Sequence, residues 1–458
     1  MKKIIWVLEM PLHSLGFDIQ IWKIKKQIKE GGKVTVLACN SSVQACFVNP
    51  LGSKTICRYC VKHVKDSLHG IGAEVIHMRS LDIKREREKV ALQNNLGAES
   101  TFISSFRLKP SETNSKILLD KYQLMRRGAI IIGKNLDYIF RERSYDELWT
   151  FNGRLNISKA AVDEAKKVNI DYYLLEVNGR DYKINITKNA SNHDPAVMAQ
   201  KFKEILNQSS RAQVRTGGEN FYKAKKIGSW VNDRVYAVPQ ENPPDLSYLG
   251  KIDLLCLLSS EDETAALGPS WNQFYTSQEE VCVYIKKQRP EWNIVVRFHP
   301  NQGDINRSIL KQKIKLLESF GIKVFHPSAE VSSYDLLEYA EDILTFGSTI
   351  GVEAIYRGKK VLQVGIAFYS EMKIIKQANS YTELMNFLEN SKKIAIKRYR
   401  ALAYGYYLME YSSELCNLPY MTNYFKARPV LHCNAFIKNY SKLLGIISKI
   451  LSSRPLKI

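Results

Sequence analysis

Residues 295–301 read VVRFHPN, and residues 335–369 read DLLEYAEDILTFGSTIGVEAIYRGKKVLQVGIAFY. Together they spell strand, polar turn, helix, strand, small-residue turn and helix, the alternation of a parallel α/β sheet. The apolar run Ile294–Arg297 opens onto His299, Pro300 and Asn301, and Ile343–Phe346 opens onto Gly347, Ser348 and Thr349. Ligands of open α/β sheets gather outside the carboxyl ends of the strands, and helix amino termini favour anions. Two donor-rich turns at neighbouring strand ends therefore suit a phosphate ester better than an apolar ligand.

The same alternation extends in both directions. Strands are expected at Ile4–Leu8, Lys33–Ala38, Glu74–His77, Glu147–Phe151 and Tyr172–Glu176, with helices near Phe17–Glu30 and Ser158–Lys167. Ala129–Ile139 reads as a helix or a strand-like run. Asn178–Pro244 is more polar; Arg211–Asn220 and Gln240–Ser247 read as loops, and Pro239, Pro243 and Pro244 mark a boundary. A second unit opens with the strand Lys251–Leu258 and the polar turn Ser259, Ser260, Glu261, Asp262, Glu263. A helix near Gln278–Lys287 follows, then strands at Asn293–Val296, Lys323–Phe325, Ile343–Phe346 and Val361–Val364. From about Tyr381 the pattern is helical. The expected architecture is α/β, with two Rossmann-like doubly wound domains in the GT-B arrangement and a helical C-terminal extension. The domains are placed at 1–240 and 250–380, the extension at 381–458.

At 458 residues the chain exceeds one core, which fits two domains. Its 67 Lys and Arg against 46 Asp and Glu leave a formal charge of +21. Such an excess permits nucleic acid, an anionic membrane surface or an acidic substrate as partner. Residues 391–458 carry 12 of the cations and only 2 acidic residues, so the excess is concentrated at the end. Phe436–Leu451 in that tail reads as a basic amphipathic helix. It suits either an anionic leaflet, where a lipid-linked acceptor would lie, or packing back onto the first domain. No apolar stretch reaches the roughly 18 residues that span a bilayer, and Glu9 interrupts the only apolar run near the start. The expected location is cytoplasmic, at most peripheral on the inner face of the membrane.

Each constellation admits a plain structural reading beside the chemical one. Arg297, His299, Pro300 and Asn301 can neutralise a leaving phosphate, although His326-Pro327 after another strand shows that His-Pro alone is not diagnostic. Ser348 or Thr349 can cap the following helix, with Gly351 inside it and Glu353 one turn on, facing ribose hydroxyls or merely completing a cap. In the first domain, Asn152, Gly153 and Arg154 follow a strand, and Arg154 suits a carboxylate of an acidic sugar or acceptor. Glu176 and Asp194 are the candidate general bases; Arg154 and Glu176 could equally form an ion pair. Cys39, Cys46, Cys57 and Cys60 form C-x6-C-x10-C-x2-C in an insertion at about 39–69. The last pair has knuckle spacing, so a structural zinc is expected, with His63 or His69 as substitute ligands. Reduced loop cysteines or an iron–sulfur cluster are the alternatives.

Arg297-x-His299-Pro300, then Ser348-Thr349-x-Gly351-x-Glu353-Ala354, Gly358-Lys359 and Phe368-Tyr369, resemble capsule polysaccharide biosynthesis proteins. These are similar to the bacterial Kdo and sialic acid transferases that carry a His-Pro motif. The resemblance covers about Lys251–Tyr369 and implies a GT-B glycosyltransferase, with the matching positions, Tyr369 included, contacting the donor nucleotide. Phe151–Arg154 and Glu176 are similar to the sugar- or acceptor-side half of such proteins. The expected function is transfer of a hexosyl or ulosonyl unit from a nucleotide-sugar donor, CMP-Kdo-like or other, to a growing capsule or lipopolysaccharide. The acceptor would be a saccharide or lipid-linked saccharide, with no catalytic metal required. The rivals are a sugar-nucleotide epimerase on the same fold and a zinc-containing nucleic-acid-binding protein. The latter needs basic residues interleaved with aromatics, a pattern this chain lacks, so no nucleic acid is expected.

Overall fold

The computed structural model describes residues 1–12, 14–79, 95–178, 183–226, 244–260, 273–300, 302, 307–391, 395–411 and 414–415. The first half runs β1 (Lys3–Val7), α1 (Ser14–Lys29), β2 (Lys33–Ala38), α2 (Lys54–Leu68), β3 (Glu74–His77), α3 (Asn95–Phe106) and α4 (Lys116–Glu142). It continues with β4 (Glu147–Phe151), α5 (Asn156–Lys167), β5 (Asp171–Asn178) and β6 (Lys183–Lys188). Then come α6 (Pro195–Asn207), α7 (Arg211–Lys226), β7 (Ile252–Leu257), α8 (Gln278–Gln288), β8 (Ile294–Arg297), α9 (Arg307–Ser319) and β9 (Lys323–Phe325). The last elements are α10 (Ser333–Tyr339), β10 (Ala340–Thr345), α11 (Ile350–Tyr356), β11 (Lys360–Val364), β12 (Lys376–Ala378), α12 (Tyr381–Glu389), α13 (Arg398–Glu410) and β13 (Glu414–Leu415).

Two sheets result. The first has the order β13-β6-β5-β4-β1-β2-β3 and the second β12-β11-β10-β7-β8-β9. In each, the opening strand is central, the next two step to one side and the later ones to the other, which is the doubly wound Rossmann order. The first sheet is parallel except for β6, which runs antiparallel to both its neighbours, β5 and β13, and the second is parallel throughout. Winding reverses between β1 and β4 in the first sheet and between β7 and β10 in the second, so a ligand crevice is expected at each of those two places.

Strands buried on both faces must be apolar without alternation, and β4 and β8 are buried at every position. One face of the first sheet packs Trp6, Phe17, Ile24, Val36, Val64 and Trp149 together, and the other packs Ile5, Val7, Ile132, Leu136, Ala161 and Leu174. The second sheet is likewise covered on both sides. Each fully buried side chain of this size contributes roughly 1.5–3 kcal/mol of transfer free energy, so these layers dominate the stability of the fold.

Four places depart from the sequence expectations. Arg211–Asn220 is helix, not loop. Gly217 and Gly218 suggest a loop in the sequence, but here they let α7 press against α13. A Cβ on Gly218 would lie 2.3 Å from the Leu402 carbonyl oxygen, and one on Gly217 would lie 2.4 Å from the Tyr406 ring. Second, α6 and α7 bury Met198, Phe202 and Val214 in the same cluster as Ile252, Ile355 and Tyr407, so in packing they belong with the second sheet. Third, β6 returns antiparallel to β5, a strand hidden in the polar segment. Fourth, Cys57 and Cys60 stand on helix α2 rather than in a knuckle turn. After α13 the chain returns to the first sheet, where β13 pairs with β6. Tyr411 fixes that return, its hydroxyl accepting from Asn185 Nδ2 at 2.6 Å. The prolines at 239 and 243, Glu261, Glu263, Asn301 and the tail helix Phe436–Leu451 lie outside the described residues.

Candidate functional site

At the first reversal, β1 and β4 end side by side. Past β4, Asn152 and Gly153 both take left-handed backbone, φ +62° and +78°. Asn tolerates this, but Gly153 is required, because a Cβ there would lie 2.6 Å from Leu174. The double reversal directs Arg154 over the strand ends, where its guanidinium donates to Ser104 Oγ at 3.3 Å. Asn152 Nδ2 donates to Glu176 at the end of β5. Its Oδ1 is buried with no hydrogen-bond partner among the described residues. Asn152, Arg154 and Glu176 are thus brought to one edge, with Glu176 bonded by Asn152.

Asp194 stands apart from the other sequence-derived candidates. Its carboxylate accepts the Ala196 and Val197 N–H groups, 2.9 and 3.4 Å away, and so caps α6. Caps of this kind are structural.

The residue the sequence reading passed over is Glu9, just beyond β1. It is 1% exposed, and its carboxylate accepts the Ser158 N–H at 2.8 Å in the first turn of α5. Burial, only partly offset by the bonds from Ser158 and Met10 and by the Arg154 charge, pushes its carboxyl up to about 7. Gln20, itself buried, grips the Glu9 backbone on both sides: the Glu9 N–H donates to its Oε1 at 3.0 Å, and its Nε2 donates to the Glu9 carbonyl at 2.7 Å. An acidic residue at the carboxyl end of the first strand of a doubly wound sheet was the available signal.

In the second sheet, β10 opens onto Gly347, Ser348 and Thr349 at the reversal point. Thr349 is exposed and makes no side-chain cap to α11, contrary to the expected capping. The turn is instead held from beneath. Buried Gln363 accepts the Gly347 N–H at 3.1 Å, and the Tyr369 hydroxyl lies 2.9 Å from the Ser348 carbonyl. Tyr369, 1% exposed, is therefore a support of the turn rather than a surface for ligand. Gly351 lets α11 sit on β10, with 2.7 Å between its hypothetical Cβ and Thr345.

Two strands away, the His299 turn is closed reciprocally by Gln302: the His299 N–H donates to Gln302 Oε1, and the Gln302 N–H donates to the His299 carbonyl, both at 2.8 Å. Since β7 lies between β8 and β10, the His299 and Ser348 turns stand roughly 10 Å apart across two strand spacings. Pro300 begins the short turn and leaves His299 half-buried.

Arg297 and Glu353 face elsewhere. Arg297 is 4% exposed and donates to the His326 and Ala329 carbonyls, the second at 3.2 Å, so it ties down the loop after β9 instead of reaching a phosphate. Burial lowers its pKa to about 10, which still leaves it charged. His326 Nδ1 is occupied by Ser328 Oγ at 2.7 Å, within its own loop. Glu353, expected at ribose, is buried on the inner face of α11, paired with Lys225 Nζ at 2.9 Å and bonded by the Tyr334 hydroxyl.

One contact joins the two reversal points. The imidazole of His193, after β6, packs on the Phe368 ring with centroids 4.8 Å apart. Burial, aided by the Arg154 charge, lowers the His193 pKa to about 4, so the ring is neutral near pH 7. Arg154 thus acts electrostatically on Glu9 on one side and on His193 on the other. His193 touches Phe368, whose neighbour Tyr369 supports Ser348. The two strand-end edges are therefore linked through this ring contact.

The four clustered cysteines face one cavity. Cys39, Cys46, Cys57 and Cys60 line one cavity with Leu8, Val43, Val64 and Ile157, all as free thiols. Burial raises the Cys46 thiol well above its usual pKa, and Asn49 Nδ2 lies 3.1 Å from Cys57 Sγ. Among the described residues, no group of three or more His, Cys, Asp or Glu is arranged to hold a metal. His63 packs on Phe17, centroids 5.2 Å apart, and His69 ends α2; neither lines the cavity. No helix among the described residues is long and apolar enough to cross a membrane.

Residues 237–406 match the family model described as capsule polysaccharide biosynthesis protein. No curated protein matches the sequence. Among solved structures, a KpsC beta Kdo 2,7 transferase from Thermosulfurimonas dismutans is similar at 13% identity and TM-score 0.36, over 59% of this chain and 80% of that one. A UDP-GlcNAc 2-epimerase from Neisseria meningitidis is similar at 12% identity and TM-score 0.26, over 89% and 98%. MurG of Acinetobacter baumannii is similar at 10% identity and TM-score 0.29, over 90% and 96%. These likenesses are loose, and the two-sheet architecture rests on the strand order itself.

Proposed function

From the match of residues 237–406 to the capsule polysaccharide biosynthesis family, we propose that this chain is a glycosyltransferase that extends a bacterial surface polysaccharide from a nucleotide-sugar donor. The observation that carries the reading is the contact of His193, which feels the Arg154 charge, with Phe368, whose neighbour Tyr369 holds the Ser348 turn. The donor phosphate would lie across the strand ends between His299 and Ser348, where turn amides and the imidazole can take up charge as the nucleotide leaves. The sugar and acceptor would lie toward Asn152 and Arg154. The unpartnered Asn152 Oδ1 is suited to accept from a sugar hydroxyl. Arg154 suits a sugar or acceptor carboxylate, which favours an ulosonyl or otherwise acidic unit over a neutral hexose. A polymeric or lipid-linked acceptor would bring the protein to an anionic membrane surface, and the +21 charge would favour that approach.

The test is incubation of the purified protein with a panel of sugar nucleotides and oligosaccharide acceptors, with mass spectrometry of both. A transferase enlarges the acceptor by one sugar residue and releases free nucleotide. A product isomeric with the donor, made without acceptor, would instead be the epimerase outcome and would overturn the reading.

A further inference from the structure

Glu9 is placed as a reacting group would be. It stands at the reversal between β1 and β4, on the same edge as Asn152 and Arg154, with its backbone locked to α1 by both ends of the Gln20 amide. Met10, the next residue, takes left-handed backbone at φ +51°, an unfavourable conformation for this side chain and one that recurs at functional strand ends. Arg154 is near enough to favour the ionised form. The other first-domain candidates are committed elsewhere, Asp194 to the α6 amides and Glu176 to Asn152.

Resting on the transferase reading above, we propose that Glu9 takes the proton from the attacking acceptor hydroxyl. As the acceptor oxygen bonds to the anomeric carbon, the bond from that carbon to the donor's phosphate oxygen breaks. The phosphate keeps the bonding pair, and the acceptor's proton passes to a Glu9 carboxylate oxygen. A base of this task works best when its pKa is near the operating pH, and burial has moved Glu9 to about 7.

A plain structural role has to be separated from this one. Leu155 makes no side-chain cap to α5, and Glu9 supplies that acceptor through Ser158. Glu9→Gln keeps an oxygen for the Ser158 amide and removes the base. The substitution is expected to lower kcat on the order of 100- to 10,000-fold, leave nucleotide affinity unchanged, and abolish the fall of kcat/KM below about pH 7. Stability supplies a second, independent reading. A carboxyl with a raised folded pKa costs stability increasingly as pH rises from its unfolded value toward about 7, and fully above that. The Gln variant should therefore have a higher Tm than wild type at pH 8, an advantage that vanishes below about pH 4.5. A purely structural Glu9 would give a variant of equal or lower Tm at pH 8, with kcat within a few-fold of wild type and an unchanged pH profile. That result overturns the proposal. Failure of the transferase reading looks different, since the wild type itself would then enlarge no acceptor.

Discussion

The Tyr369 hydroxyl lies 2.9 Å from the Ser348 carbonyl oxygen and 2.9 Å from Gln363 Oε1, while Gln363 Oε1 also accepts the Gly347 N–H. One buried phenol therefore fixes the turn that ends β10 without facing a ligand. Tyr369→Phe removes the hydroxyl and leaves two buried acceptors with one donor fewer. A stability loss of about 1–2 kcal/mol in denaturant unfolding is expected, together with nucleotide binding weakened by up to roughly tenfold. Calorimetric titration would measure the second effect. Unchanged affinity would mean that the turn is not the donor's seat.

Lys225 and Glu353 form an enclosed ion pair, with side chains 13% and 7% exposed. Lys225→Met would leave a carboxylate buried against Tyr334 without its cation. Breaking such a pair from one side costs about 3–5 kcal/mol, read as a shift in the urea midpoint. Changing both at once, with Glu353→Gln, should recover much of that loss. A double variant as unstable as the single one would show that the pair is not the source of the effect.

His193 sets an acid limit on its contact with Phe368. Its folded pKa of about 4 lies below its unfolded value near 6.5, so the unfolded chain binds the proton first. The contribution of this residue to stability is therefore complete above about pH 6.5 and is lost progressively as pH falls toward 4. His193→Phe keeps an aromatic ring against Phe368 and removes the titration. Its Tm should decline less than that of wild type between pH 6.5 and 4.5, and parallel curves would refute the assignment.

Much of this was legible in the chain. Strand runs such as Ile294–Arg297 and Ile343–Phe346 are continuous and apolar because both faces are covered, and each stops at a polar turn. The sequence therefore places the His299 and Ser348 turns at strand ends of one sheet, but the expectation of neighbouring strands fails, because β7, the opening strand of that sheet, lies between β8 and β10. Helix direction was not legible. Whether Glu353 faced a ribose or α7 depended on how α11 rolls on β10. Whether Arg297 reached a phosphate depended on the loop after β9. Gly217 and Gly218 read as a loop because a close helix approach and a flexible turn leave the same residue in the sequence. Glu9 escaped notice because its chemistry comes from burial and from a partner amide, at Ser158, 149 residues away.

The central claim is that the Ser348 and His299 turns bind a nucleotide phosphate. Its most direct measure is the thermal shift of the purified protein with CMP, UDP, GDP and dTDP, repeated with His299→Ala. One nucleotide should raise the Tm of the wild type, by about 2.7 kcal/mol of stabilisation at a hundredfold excess over Kd, and much less for the variant. No shift with any nucleotide, or an equal shift when His299 is removed, would contradict the account.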